Sequence, residues 1–291
     1  MLVALAVLPA AASATPLPSS VSKNVKVRSS GTTSVTVRCA SSQSVALAGA
    51  VVSAGSGAVP RDSLPQGGRG WTFRFTTLGG SSAASRRARV IVRCLRLRID
   101  NGMQDVRLRV FTGLSKVGVE ALSTRRVRVP CADGFVPTGY SMDRAFRSEG
   151  GPLPAADLRL ASAVRSSASW VFRIENQGGS DTRAALRVRC VGRTATARRG
   201  SRALRQGLRL STASFSDRVG VGNSETVTHS CPEGTASLGT GHSLSANDDI
   251  FVRLAHPLAS RSGRWTFDHQ AGGGQTARTY LTCLSLRTAF R

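Results

Sequence analysis

The four histidines of this chain, His229, His242, His256 and His269, all lie beyond residue 228. Imidazole changes charge near neutral pH and is the commonest metal ligand among side chains. Counted back from the following cysteine, His229 takes the place held earlier by Val37 and Val129. Counted on from the preceding tryptophan, His269 takes the place of Phe75 and Ile174. Both places face inward on a strand. His242 in "GHSL" matches Tyr140 in "GYSM", and Asp248, Asp249 and Asp268 are near in sequence. Two inward histidines admit a metal site or a pH-sensitive core pair. The alternative puts both rings at the rim of strands that end early. Their spacings match no standard zinc motif, and no segment carries histidines at i and i+2.

The remaining catalytic signatures are missing their essential parts. "GNSET" and "GHSLS" lack the second glycine of the nucleophile elbow. "GGGQTAR" lacks the lysine and the strand–helix context of a phosphate-binding loop. "NDDI" alone does not set two acids across a cleft. A non-catalytic protein without a cofactor is the expectation, the alternative being an enzyme or metal-binding protein with its site at His229 and His269.

Charge is the second source of chemistry. The 291 residues carry 40 basic and 16 acidic side chains, a net +24, and all the basic ones except Lys23, Lys26 and Lys116 are arginines. A GC-rich genome accounts for arginine over lysine but not for the excess of base over acid. The excess falls along the chain: +11 over residues 15–100, +9 over 101–200 and +4 over 201–291. Arginine alternates with apolar residues in "RCLRLR", "RRVRV" and "LRVRC". On strands this alternation sets Val and Leu inward and Arg outward. Arg38, Arg93, Arg128, Arg187 and Arg189 are therefore expected on the surface, as polyanion contacts. The stretch "GRTATARRGSRALRQGLR", 192–209, reads as a flexible basic hinge, with Arg198 and Arg199 as further contacts. No DNA-reading motif occurs, so sequence-specific nucleic-acid recognition is not expected.

These groups must be positioned by strands, because no segment has a sustained helical period. "SVTVRC", "RVRVPC" and "TVTHSC" precede one set of cysteines, and "RVIVRC", "LRVRC" and "TYLTC" the other. Between them fall the chain's three tryptophans, opening "WTFRFTTLGG", "WVFRIENQGG" and "WTFDHQAGGG". The order is Cys39–Trp71–Cys94, Cys131–Trp170–Cys190 and Cys231–Trp265–Cys283. A period near 95 residues in three features marks tandem copies. Trp71, Phe73 and Phe75 share one strand face, as do Trp170, Phe172 and Ile174. Each copy thus has one large core aromatic, and pairing of the cysteines within each copy is the simplest connectivity. The fold class expected is all-β: three tandem β-sandwich-like domains at 15–100, 101–199 and 200–291, each with one disulfide and one core tryptophan. An immunoglobulin topology is disfavoured, because tryptophan follows the first cysteine by 32 to 39 residues.

"CPEGTASLGTG" with "WTFDHQAGGG" and "TYLTC" resembles an uncharacterised repeat of secreted actinobacterial proteins, which runs Cys-Pro-x-Gly, a glycine-rich strand, Trp-x-Phe and a strand ending in Cys. The resemblance covers all three copies, although the first lacks Pro and Gly after Cys39. It implies secretion and a disulfide and carries no assigned activity. "MLVALAVLPAAASA" ends in a small-residue cleavage pattern, so residues 1–14 are expected to be a signal peptide, although no basic residue precedes the apolar run. No other long uncharged apolar run occurs, and no transmembrane anchor is expected. The functional expectation is a secreted or cell-envelope binding or structural protein that engages anionic polymers or surfaces through arginine-rich sheet faces.

Overall fold

The computed structural model describes residues 18–77, 81–99, 104–106, 108–144, 158–199, 202–220, 224–244, 250–258, 260–269 and 275–290. Residues 1–14 and the Asp248–Asp249 pair lie outside them. Every helix or strand among the described residues is a β-strand. The first set is β1 (Ser19–Lys26), β2 (Thr32–Arg38), β3 (Val45–Ala54), β4 (Ala58–Gln66), β5 (Gly70–Thr77) and β6 (Arg87–Leu95). A short hairpin follows, β7 (Leu97–Ile99) and β8 (Gln104–Val106). The second set is β9 (Val110–Val119), β10 (Thr124–Pro130), β11 (Phe135–Arg144), β12 (Leu158–Arg165), β13 (Ser169–Asn176) and β14 (Thr182–Gly192). After β15 (Thr194–Arg199) comes the third: β16 (Arg202–Val219), β17 (Ser224–Ser230), β18 (Ala236–Leu244), β19 (Ile250–Pro257), β20 (Ser262–His269) and β21 (Gln275–Phe290).

One pairing order occurs in all three sets. First, last and third strands pair as β1–β6–β3, β9–β14–β11 and β16–β21–β18. Second, fifth and fourth pair as β2–β5–β4, β10–β13–β12 and β17–β20–β19. Every pairing is antiparallel. Period-two alternation on the fifth strands drives the burial: Trp71, Phe73 and Phe75 are wholly buried, whereas the Arg74 side chain between them is 38% exposed. Trp170, Phe172 and Ile174 are buried likewise.

The disulfides Cys39–Cys94, Cys131–Cys190 and Cys231–Cys283 each tie the end of a second strand to a last strand, so each clamps one sheet to the other. All three have a Cα–Cα distance of 5.7 Å. Closing loops with separations of 55, 59 and 52 residues restricts the unfolded chain by about 4 kcal/mol each in the chain-entropy account. Gly134 and Gly234, three residues after Cys131 and Cys231, have φ of 79° and 74°. Only glycine enters that turn without strain, which is the physical content of Cys-x-x-Gly.

The three sets close into a ring. β4 of the first packs on β11 of the second, β12 of the second hydrogen-bonds β18 of the third, and β19 of the third packs on β3 of the first. The third strands approach one another at matching bulges, whose extra residues are Leu47, Thr138 and Leu238, all wholly buried. The Thr138 hydroxyl donates to the Leu47 carbonyl at 2.7 Å. A Cβ on Gly139 would lie 2.7 Å from that same carbonyl oxygen. Besides one apolar cluster per set there is therefore a fourth, contributed by all three, containing Leu47, Leu97, Val136, Val191, Leu238 and Leu284. The reading of one separate core per copy omits it.

Two further expectations are corrected. The basic stretch 192–209 is not a hinge but chiefly the hairpin β15–β16, in register from Thr194 opposite Gly207 to Arg199 opposite Arg202. Its alternation, with Ala195 and Leu208 buried in the shared cluster, holds it as strand. The third tryptophan is also displaced. Trp71 pairs with Val37 and Trp170 with Val129, but Trp265 pairs with Val227 and the matching place opposite His229 is Gly263. The Trp265 ring packs over Gly263, where a Cβ would meet it at 3.0 Å. His269 consequently aligns with Thr77 and Asn176 rather than with Phe75 and Ile174. By sheet register His242 matches Met142, and Tyr140 matches Thr240.

Candidate functional site

The arginines expected to form one outward face are divided by the ring. Arg87, Arg89 and Arg93 lie on one face of β6; the first two are exposed and Arg93 is 1% exposed. On β14, Arg183 is exposed and Arg189 is 1% exposed. Arg93 and Arg189 are therefore not surface contacts. The face they share with exposed arginines is covered at its inner end by a neighbouring set. The Arg93 guanidinium donates to the Ser237 carbonyl at 2.6 Å and to Ser20 Oγ at 2.6 Å. Arg189 donates to the Gly70 carbonyl at 3.4 Å and lies 5.6 Å from the Trp71 ring centroid. In the third set this place, one residue before the cysteine, is Thr282. There Arg165 reaches in from β12 and donates at 3.1 Å to the Pro137 carbonyl and at 3.1 Å to the hydroxyl of Thr212, the cross-strand partner of Thr282. A buried guanidinium thus stands at each junction. Burial pulls all three down to about 10, so they remain cationic at neutral pH.

Of the other arginines singled out, Arg38 is exposed. Arg128 is exposed and donates to Ser169 Oγ at 2.9 Å. Arg187 is half-buried and pairs with Asp143 at 3.3 Å. Arg198 and Arg199 are backbone-paired on β15, and their side chains lie outside the described residues. Residues not singled out complete the exposed basic surface. Lys26 and Arg87 are exposed and directly opposed across β1 and β6. Arg126 is exposed on β10, whereas its partner on β13, Arg173, is half-buried and paired with Glu175 at 3.3 Å. Their signal was cross-strand register, which local alternation does not contain.

The histidines are separated. His229 faces inward, where Nε2 meets Asp217 Oδ1 at 2.8 Å. Its ring stacks on Phe215 at 4.0 Å and tilts toward Trp265 at 5.7 Å. Thr279 donates to the other oxygen of Asp217 at 2.7 Å. By register these three residues replace Val25, Val37 and Val90 of the first set and Val117, Val129 and Leu186 of the second. A core contact of three apolar residues has become a hydrogen-bonded network. The side chain of His269 lies outside the described residues. His242 is 3% exposed and donates from Nε2 to the Leu160 carbonyl at 2.8 Å. Burial, aided by Arg159 and Arg173, pulls it down to about 4 against the effect of that hydrogen bond. Burial also lowers His256. Among the described residues no three His, Cys, Asp or Glu side chains are grouped to hold a metal ion.

Where third and fourth strands of all three sets converge there is a cavity of about 360 Å³. Its charged lining is Arg61, Asp62, Arg159 and Arg253, and its neutral polar lining includes Ser63, Ser141, Gln177 and His242. Arg61 and Arg253 are the extra residues of matching bulges on β4 and β19. Arg159 is buried, paired with Glu175 at 3.4 Å and bonded to the Ile250 carbonyl. Asp62 is buried, paired with Arg74 at 3.3 Å and close to the Asp143 carboxyl of β11. Burial and Asp143 push it up to about 6, against the pull of Arg74.

No family model matches the chain, and no curated protein matches it. No helix among the described residues is long and apolar enough to cross a membrane. Three disulfides fit folding in an oxidising, extracellular compartment.

Proposed function

We propose that the chain is three tandem β-sandwich-like domains, exported from the cell, that bind anionic polymers or surfaces without catalysing a reaction. The observation that carries this reading is the like-charge pair Lys26 and Arg87. The two are exposed and directly opposed on neighbouring strands. Among the described residues neither has an acidic partner. Opposed like charges destabilise a sheet by a few tenths of a kcal/mol, roughly up to 1 kcal/mol, and a polyanion lying across them reverses the sign of that contribution. Arg89, one pleat further along β6, extends the row, and Arg38, Arg126 and Arg128 supply cationic surface on the second strands. Fold class, disulfides and the density of base over acid support the reading together.

The test is retention of the purified chain on immobilised heparin or polyphosphate across a salt gradient, beside a basic protein of matched isoelectric point. Elution above the control, with Lys26→Ala/Arg87→Ala/Arg89→Ala eluting earlier and flattening the dependence of log K on log salt by about 2–3, supports an organised site. Elution with the control, unchanged in the triple variant, removes the proposal.

A further inference from the structure

We propose that the cavity at the centre of the ring is a second, separate binding site, for a small anionic carbohydrate derivative such as a sugar acid or sugar phosphate. Its volume of about 360 Å³ lies within the range of small-molecule pockets, roughly 300–1,000 Å³. It exists only because three sets of strands converge, so it belongs to the closed ring and not to any one set.

Two features point to an anionic occupant. Arg61 and Arg253 come from different sets yet occupy the same bulge of the fourth strand. A bulge re-aims the side chain of its extra residue, and here both re-aimed residues line the cavity. Guanidinium presents a flat fork of donors that fits the paired oxygens of carboxylate and phosphate. The cavity's charged lining is three arginines against the single acid Asp62. Arg159, engaged with Glu175 and Ile250, contributes positive potential, and the exposed Arg253 makes the contact, beside Arg61 in the same lining.

Two further features point to a hydroxylated body. The Ser141 hydroxyl and Nδ1 of His242 are buried, belong to lining residues and have no hydrogen-bond partner among the described residues. Since His242 donates from Nε2 to Leu160, its Nδ1 is an acceptor. A hydroxyl that both donates and accepts satisfies each of these groups. Unsatisfied buried polar atoms are rare in folded proteins and call for a partner.

The experiment is calorimetric titration of the purified chain with glucuronic acid and with glucose 6-phosphate, using glucose and inorganic phosphate as controls. The wild type is compared with Arg253→Ala, Ala50→Phe and Arg89→Ala, with near-ultraviolet circular dichroism to show that each is folded. Arg253 is exposed, so its replacement leaves the fold intact and decides the matter alone if Ala50→Phe does not fold. The expected result is one-to-one binding of at least one acid, weakened about tenfold or more by Arg253→Ala, abolished by the cavity-filling Ala50→Phe and unchanged by Arg89→Ala. Preference between the two acids tells carboxylate from phosphate. The proposal is overturned by absence of saturable binding to either acid, by binding indifferent to Arg253→Ala, or by equal affinity for glucose or for inorganic phosphate. Retention on polyanions depends on β1 and β6 instead, so either proposal can fail alone.

Discussion

Arg93 and Arg189 each stand one residue before a disulfide cysteine, and each is buried against a backbone carbonyl of a neighbouring set, Ser237 and Gly70 respectively. Two residues that sequence pattern assigns to the surface are ring closures. Buried arginine is tolerated here because carbonyl groups and a tryptophan face receive the guanidinium, which keeps its charge.

Replacing Arg93 with Ala leaves a cavity and the Ser237 carbonyl without its donor. We expect a loss of about 2–4 kcal/mol in denaturant unfolding. Arg93→Lys recovers little, because an ammonium cannot reproduce the fork shared among Ser237, Ser20 and Ser260. Arg87→Ala and Arg89→Ala, at the exposed end of the same face, change stability by no more than about 0.5 kcal/mol. Equal effects at the three positions would contradict the division.

Asp62 and His242 make opposite contributions to stability in acid. Asp62 is raised from 3.8 to about 6, so the folded state binds its proton first, and that contribution is present below 3.8 and lost as pH rises through about 6. His242 is lowered from 6.5 to about 4, so its contribution is present above 6.5 and lost as pH falls toward about 4. Between pH 4 and 6 the two nearly cancel, each on the order of 2 kcal/mol. Melting temperatures from pH 7 to pH 4 should therefore fall more steeply in Asp62→Asn than in the wild type, and less steeply in His242→Gln. Parallel curves for all three proteins would refute the assignment.

The network of Asp217, His229 and Thr279 can be removed whole more cheaply than in part. Asp217→Ala strands the His229 ring and the Thr279 hydroxyl in the core, with an expected loss of about 1–3 kcal/mol. Asp217→Val/His229→Val/Thr279→Leu restores the apolar contact seen in the second set, and its stability should lie above that of the single variant. A triple variant less stable than Asp217→Ala would show that the third set has repacked around its polar residues.

Gly139→Val tests ring closure. Its side chain would drive into the Leu47 carbonyl and Ala48, where backbone meets backbone. The junction between the first and second sets, where β11 meets β3, should loosen, giving an expanded profile in small-angle scattering while all three disulfides remain formed. An unchanged profile would mean that the third strands do not approach so closely.

Period-two alternation ahead of each cysteine announces strands, since it states which side of a pleat is apolar, and the Cys–Trp–Cys spacing places one disulfide and one tryptophan in each set. Those are local or nearly local signals, readable along one strand. The displacement of Trp265 was not readable, because counting from a tryptophan assumes that the tryptophan keeps its place, and Gly263 lets the ring move two residues along.

The sequence by itself determined the strand class, the pairing of the cysteines within each set and the excess of positive charge. Only the tertiary structure decided which arginines reach solvent. Alternation sends Arg87, Arg89 and Arg93 to one face of β6, and nothing along β6 states that another set covers the inner end of that face. The cavity was hidden for the same reason, since Arg61 and Arg253 are 192 residues apart in the chain and meet around it only when the ring closes.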